Sequence, residues 1–175
     1  QIEVGNTGIK EGRGRRAVPI DPGGVVADYV PFYYAPRSPM LFSIKSGNVP
    51  TYDRGCDRLV YLITSTQILR GKGLTVLGTD RHPLKSFATF VQDDAEITEM
   101  TDWPLMAAKY WSNTPEDPDR RERRQAECLV HEVVPFDAIG AIAAKSVAVQ
   151  RAVDATLASM GVTWVKTTVR PDWYF

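Results

Sequence analysis

Apolar residues in this chain come in short runs separated by Gly, Pro and charged residues, so the pattern predicts brief strands and helices. Leu59-Val60-Tyr61-Leu62-Ile63 is the clearest strand by residue type, and it leads into a short helix, Thr66 to Arg70, with Ser65 as N-cap. Tyr29 to Tyr34 reads as a strand that Pro31 confines to a sheet edge. Pro36 and Pro39 fix a rigid turn before the apolar run Met40 to Ile44. Leu74 to Leu77 is a further short strand, and a helix starting near Pro83 carries Phe87, Phe90 and Val91 as apolar contacts. Trp103 to Trp111 reads as helix with Pro104 in its first turn. A strand begins near Ala126 and runs through Cys128 to Val134; Phe136 to Ile139 turns once. Ala144 to Ala158 has the apolar face of a helix, and Thr163 to Val169 reads as a last strand. Residues 5 to 28, rich in Gly, Pro and charge, read as a long surface loop or partly ordered arm. Strands without regular crossover helices favour an α+β fold, a mixed or antiparallel sheet with peripheral helices.

Composition changes this picture little. The 175 residues suit one domain, 1–175, and the 21 basic residues balance the 21 acidic ones. That balance argues against a strongly basic, non-specific nucleic-acid binder but leaves room for a local basic groove. Two cysteines, Cys56 and Cys128, and two histidines, His82 and His131, match no metal motif. No metal is therefore expected. With no long apolar run and no signal peptide at Gln1-Ile2-Glu3-Val4, the expectation is a reduced, cytoplasmic protein that engages no membrane.

The candidate chemistry centres on Glu127, which opens an otherwise apolar strand after the run Arg120 to Ala126. A carboxylate there is costly unless paired, so it is either bridged to an arginine or poised as a base or cation stabiliser. Arg13, Arg15 and Arg16 cluster in a Gly-containing segment, and Arg120, Arg121, Arg123 and Arg124 form a second group. Such forks match phosphate oxygens, although charge runs also serve as solvated surface. Tyr29, Phe32, Tyr33 and Tyr34 beside Arg37 have the make-up of a platform for unstacked bases and are equally good core material. His82, next to Asp80 and Arg81, is either an orienting or acid–base group or an ordinary turn histidine. Neither a Gly-x-Gly-x-x-Gly fingerprint after a strand nor a Walker-type loop occurs, which disfavours a Rossmann or P-loop site.

Several motifs together carry a resemblance: Tyr29-Val-Pro-Phe-Tyr-Tyr-Ala-Pro-Arg-Ser-Pro-Met-Leu41, Gly78-Thr-Asp-Arg-His82, Tyr110-Trp111 with Asp117-Pro-Asp-Arg120, Arg123-Arg-Gln-Ala-Glu-Cys-Leu-Val130, and Val169-Arg-Pro-Asp-Trp-Tyr174. With Ile9-Lys-Glu-Gly-Arg13, they make the chain similar to DarT, the DNA-modifying toxin family of bacterial toxin–antitoxin pairs. The resemblance implies an ADP-ribosyltransferase-like fold, a split mixed sheet clasping NAD. It implies transfer of ADP-ribose from NAD, as co-substrate, to a base of single-stranded DNA, thymidine in the branch most resembled. It also implies an antitoxin partner resembling DarG, with a macrodomain.

By the same resemblance the catalytic glutamate falls on Glu127 and the essential arginine on Arg13, with Arg15 and Arg16 as alternatives. Tyr33 and His82 join Arg13 as expected NAD contacts; Tyr34, Arg37, Arg15, Arg16 and Arg124 are the expected DNA contacts. Two departures stand out. The N-terminal strand and helix with which family members usually begin are not in the sequence, so the expectation is an enzyme domain lacking them. Arg81 occupies a position where the family often has glycine. The rival readings are an enzyme of the same fold acting on RNA or protein, and a catalytically incomplete nucleic-acid-binding module.

Overall fold

The computed structural model of the protein describes residues 6–50 and 52–175. The elements follow in the order α1 (Thr7–Arg15), β1 (Tyr29–Tyr33), α2 (Pro39–Lys45), β2 (Val60–Ile63), α3 (Thr66–Gly71), β3 (Val76–Thr79), β4 (Phe90–Val91), α4 (Asp94–Met100), α5 (Trp103–Ala107), α6 (Arg120–Arg123), β5 (Glu127–His131), β6 (Ala141–Ala144), α7 (Val147–Ser159) and β7 (Lys166–Val169). The strands divide into two sheets. One has the order β1-β5-β3-β4 and is antiparallel throughout; the other, β2-β6-β7, pairs β2 antiparallel and β7 parallel to β6. The expected α+β architecture, a split mixed sheet with peripheral helices, is the one adopted.

β5 is the strand around which the site is built. The two-residue period of a strand sends Leu129 into a cluster with Val18, Val26, Tyr29, Leu77 and Phe90, and Cys128 and Val130 into another with Leu69, Val76 and Ala138. Burying a side chain such as Leu129 stabilises the fold by about 1.5–3 kcal/mol, so β5 is anchored from both faces. The same period places Glu127 on the Leu129 face, beneath the segment that follows α1. β1 lies at the edge of its sheet, as Pro31 requires.

Several expectations need correction. Residues 5 to 28 are not all loop: Asn6 caps α1 by accepting from Ile9 N–H at 3.3 Å, and Arg13 and Arg15 sit favourably in its last turn. Its glycines hid it, and one has a packing reason. A Cβ at Gly12 would fall 2.8 Å from Leu84 Cδ1, so glycine lets the helix approach that side chain closely. No helix starts at Pro83; Phe90 and Val91 form β4, paired with Thr79 and Gly78. The Met40–Ile44 run is the helix α2, capped by Ser38, whose Oγ accepts from Leu41 N–H at 3.2 Å. The Trp103 helix ends at Ala107 instead of Trp111, and α4, capped by Asp93, lies where no element was expected. Ala144 closes the unexpected strand β6, and the following helix starts only after the N-cap Ser146. β5 stops at His131, ahead of Glu132 with its positive φ of 61°.

Candidate active site

Glu127 is 3% exposed and accepts a charge-assisted hydrogen bond from Arg13, Nη1 to Oε2, at 2.8 Å. α1 delivers this arginine from its last turn, and Arg13 Nη2 also donates to Val26 O at 3.4 Å. Among the described residues Glu127 Oε1 accepts no hydrogen bond. Burial pushes the Glu127 carboxyl above the usual carboxylate range, against the opposing pull of Arg13. The pair thus combines a carboxylate that holds its proton more tightly than in water with a cation fixed on one of its oxygens.

Thr79, at the end of β3 and fully buried, holds the backbone of Glu127. Its Oγ1 accepts from Glu127 N–H at 3.0 Å and donates to Glu127 O at 3.4 Å. Beyond the last ladder pair of β3 and β5, Gly78 with Cys128, a side chain therefore takes over the role of backbone pairing. Sequence reading placed Thr79 inside a matched motif but gave it no role; only the strand register reveals one.

Tyr33 lies directly opposite Glu127 in the β1–β5 pairing, so the two side chains share a face. Burial, and then the Glu127 charge, raise the pKa of its phenol, which stays protonated as a donor. His82 is drawn toward the same region by a main-chain bond, its N–H donating to Glu122 O at 3.1 Å. Its Nδ1 accepts from Leu84 N–H at 3.1 Å, which leaves the ring proton on Nε2. Burial first, and then Arg13, lower its pKa to about 4, so the imidazole is neutral near pH 7.

The other sequence candidates fall elsewhere. Arg15 is exposed at the end of α1. Arg16 clamps the β3–β4 connection, donating to Pro83 O and Lys85 O at 3.2 Å each. Arg124 is 2% exposed and donates to Pro36 O, which fixes the turn that carries Arg37. Arg37 adopts a positive φ of 56° and stacks over Phe175. Tyr34 packs edge-on against Trp103 at 5.8 Å, and its hydroxyl is buried without a hydrogen-bond partner. Arg81 joins Asp80 and Asp119 at 2.8 and 3.2 Å, tying the β3–β4 connection to the start of α6. Among the described residues no group of His, Cys, Asp and Glu is assembled to hold a metal ion, and no helix is long and apolar enough to cross a membrane.

The model of one protein family, "DarT: ssDNA thymidine ADP-ribosyltransferase", matches residues 1–175. The chain belongs to the DarT family. A relative from Thermus sp. strain 2.9 named as a DNA ADP-ribosyl transferase is 38% identical over 176 residues, covering 100% of this chain and 82% of its own length. The solved structure of Thermus sp. 2.9 DarT in complex with ADP-ribosylated single-stranded DNA superimposes with a TM-score of 0.92 at 38% identity, covering 100% of this chain and 82% of that one. The structure of Thermus sp. 2.9 DarT in complex with NAD+ gives a TM-score of 0.86 at 38% identity, over 94% of this chain and 81% of that one. The resemblance read from the motifs is thus borne out, and with the DarT family goes the activity of a DNA ADP-ribosyltransferase.

Proposed function

We propose that the chain transfers ADP-ribose from NAD to N3 of a thymidine in single-stranded DNA, acting in the cytoplasm as the toxin of a toxin–antitoxin pair whose antitoxin resembles DarG. The observation that carries this reading is the buried Glu127 carboxylate, held through Oε2 by Arg13 while Oε1 accepts no hydrogen bond among the described residues, in a chain of the DarT family. Relatives solved with NAD+ and with ADP-ribosylated single-stranded DNA support the same donor and acceptor here.

The reaction breaks the bond between ribose C1′ and nicotinamide, and positive charge develops on C1′. The Glu127 carboxylate stabilises that charge in a site where water is excluded. Thymine N3 attacks C1′, and its proton passes to Glu127 and then to solvent, while nicotinamide leaves as the neutral base. Arg13 keeps the carboxylate in one orientation and offers NAD a cation. Tyr33, through its phenol O–H, and neutral His82, through Nε2–H, donate hydrogen bonds to the nucleotide; neither brings an extra charge to the cation forming beside them.

Arg15 and Arg37 supply the DNA contacts, with Arg16, Arg124 and Tyr34 holding the backbone and rings behind them. Single strands are favoured because a duplex must first unpair the target base, which costs a few kcal/mol.

The test is incubation with NAD labelled in its adenine, alongside single-stranded DNA, RNA of matching sequence and a protein mixture. Label is expected on DNA with the wild-type chain and on none of the three with Glu127→Gln. Label on RNA or protein and none on DNA would overturn the choice of acceptor.

A further inference from the structure

The two members of the catalytic pair meet on one short connection. Residues 80–89, between β3 and β4, follow directly on Thr79, whose hydroxyl holds the backbone of Glu127. The same connection receives the end of α1, from which Arg13 reaches the carboxylate. Two contacts make that docking, and they lie on either side of Arg13. Ahead of it, Gly12 comes so near Leu84 that a Cβ would sit 2.8 Å from Leu84 Cδ1. Behind it, Arg16 donates to main-chain carbonyls of the connection: Nε to Pro83 O at 3.2 Å, and Nη2 to Lys85 O at 3.2 Å and to Ser86 O at 3.4 Å.

Arg16 is itself fixed to the helix and to the core. Its N–H donates to Gly12 O at 3.0 Å, and its carbonyl accepts from Val26 N–H at 2.8 Å. Val26 O in turn accepts from Arg13 Nη2 at 3.4 Å, and the Val26 side chain is wholly buried in the cluster that holds Leu77 and Leu129. The Arg16 Cζ lies 5.9 Å from the centre of the Phe90 ring, and Phe90 is the ladder partner of Thr79. An arginine kept for nucleic-acid phosphates would present its fork to solvent. Arg16 is half-buried, forms no ion pair among the described residues, and directs its fork at backbone carbonyls.

We infer that Arg16 is a positioning residue for the transfer reaction: by tying the end of α1 to the β3–β4 connection, it sets Arg13 where it holds the Glu127 carboxylate. The inference rests on the reading of Arg13 and Glu127 as the catalytic pair and adds what aligns them. One connection then registers both partners, Thr79 the carboxylate and Pro83 to Ser86 the arginine. Misplacing a catalytic group by about an ångström costs up to roughly a hundredfold in rate, so loosening this clamp should act on kcat.

The experiment is a double-mutant cycle with Arg13, read by steady-state transfer to a single-stranded oligonucleotide. Arg16→Lys keeps the charge but cannot span carbonyls on two edges of a planar fork. It is expected to lower kcat by about tenfold, with the KM for the oligonucleotide within about twofold of wild type. In an Arg13→Lys background the further loss should shrink below about threefold, because the residue through which Arg16 acts is already altered. If Arg16→Lys fails to fold, Leu84→Ala, which empties the space against Gly12, reads the same docking and should lower kcat by about threefold or more. Equal losses in both backgrounds, or unchanged kcat in the folded variant, overturn the proposal. A raised KM for the oligonucleotide at unchanged kcat also overturns it, and makes Arg16 a direct contact of the strand.

A readout without turnover separates this inference from the choice of acceptor. Arg13 opposes the burial that raises the Glu127 pKa, so in Arg16→Lys the titration of that carboxyl, followed by carbon-13 NMR, should move to higher pH. An unmoved titration overturns the positioning role. Absence of transfer to DNA by the wild-type chain overturns the acceptor, and the titration still decides the role of Arg16.

Discussion

Arg13 and Glu127 stand 114 positions apart in the chain, and their side chains meet at 2.8 Å. One residue comes from the last turn of a helix and the other from the first position of a buried strand, so the pair exists only in the folded protein. The arginine engages two acceptors at once, Glu127 Oε2 and Val26 O. Lysine can keep the charge but lacks the planar fork that serves both. Arg13→Lys is expected to lower kcat/KM by about tenfold or more, on the scale of a lost charge-assisted hydrogen bond. Steady-state kinetics over both NAD and DNA check this; full kcat and unchanged KM values would show that the fork is not needed.

Glu127→Gln should lower transfer by about a thousandfold or more while leaving the fold intact, since the amide keeps the shape but carries no charge. Its stability should also respond to pH. The folded carboxyl binds its proton more tightly than the unfolded one, so the wild-type chain loses stability as pH rises from the ordinary carboxylate pKa through the raised one. The glutamine variant lacks that loss. Its Tm relative to wild type should therefore be higher at pH 8 than at acid pH, as melting curves across that range would report. A difference that is flat or reversed would mean that Arg13 outweighs the cost of burial.

His82 gives the opposite sign. Its folded pKa of about 4 lies below the ordinary 6.5, so the unfolded chain takes up the extra proton between those values. Stability contributed by the neutral ring is complete above pH 6.5 and fades as pH falls toward 4. In His82→Asn, where Oδ1 can replace Nδ1 as acceptor for Leu84 N–H, the acid side of the stability profile should flatten in that window. Denaturant titrations at stepped pH follow it, and an acid limb as steep as wild type would assign the loss to other groups.

Thr79 is a positioning residue, since it acts through the backbone of Glu127. Thr79→Val keeps the shape and removes the hydroxyl, leaving a buried N–H unpaired at a cost of about 1–3 kcal/mol. The expected result is a lower kcat with the KM for NAD little moved, a displaced limb in the pH profile of kcat, and recovery in Thr79→Ser. Loss of stability with kcat and pH profile unchanged would reduce Thr79 to packing.

What the sequence disclosed follows from where its signals are local. Leu59 to Ile63 announced β2, Ser65 announced the start of α3, and Pro31 marked an edge strand, because each effect acts within a few residues. α1 stayed hidden because its glycines answer to Leu84, a contact distant in sequence. Phe90 and Val91 looked helical because two residues carry no period; pairing with Thr79 and Gly78 decides their conformation. In the site, Glu127 stood out as a charge at the head of an apolar strand. The choice of Arg13 over Arg15 and Arg16 as its partner came from the turn of α1, and the role of Thr79 from register alone. Arg124, one of the expected DNA contacts, sits in a basic run whose burial no local signal shows; it is buried beneath the turn that carries Arg37.

The most direct test of the proposed chemistry is the mass of a single-stranded oligonucleotide containing one thymidine, taken before and after incubation with NAD and the protein. A gain of one ADP-ribosyl group is expected with the wild-type chain and none with Glu127→Gln. The same oligonucleotide with that thymine methylated at N3 should gain nothing, because the attacking nitrogen is blocked. An equal gain on the methylated oligonucleotide would contradict N3 as the nucleophile, and an equal gain with Glu127→Gln would contradict the role given to the carboxylate.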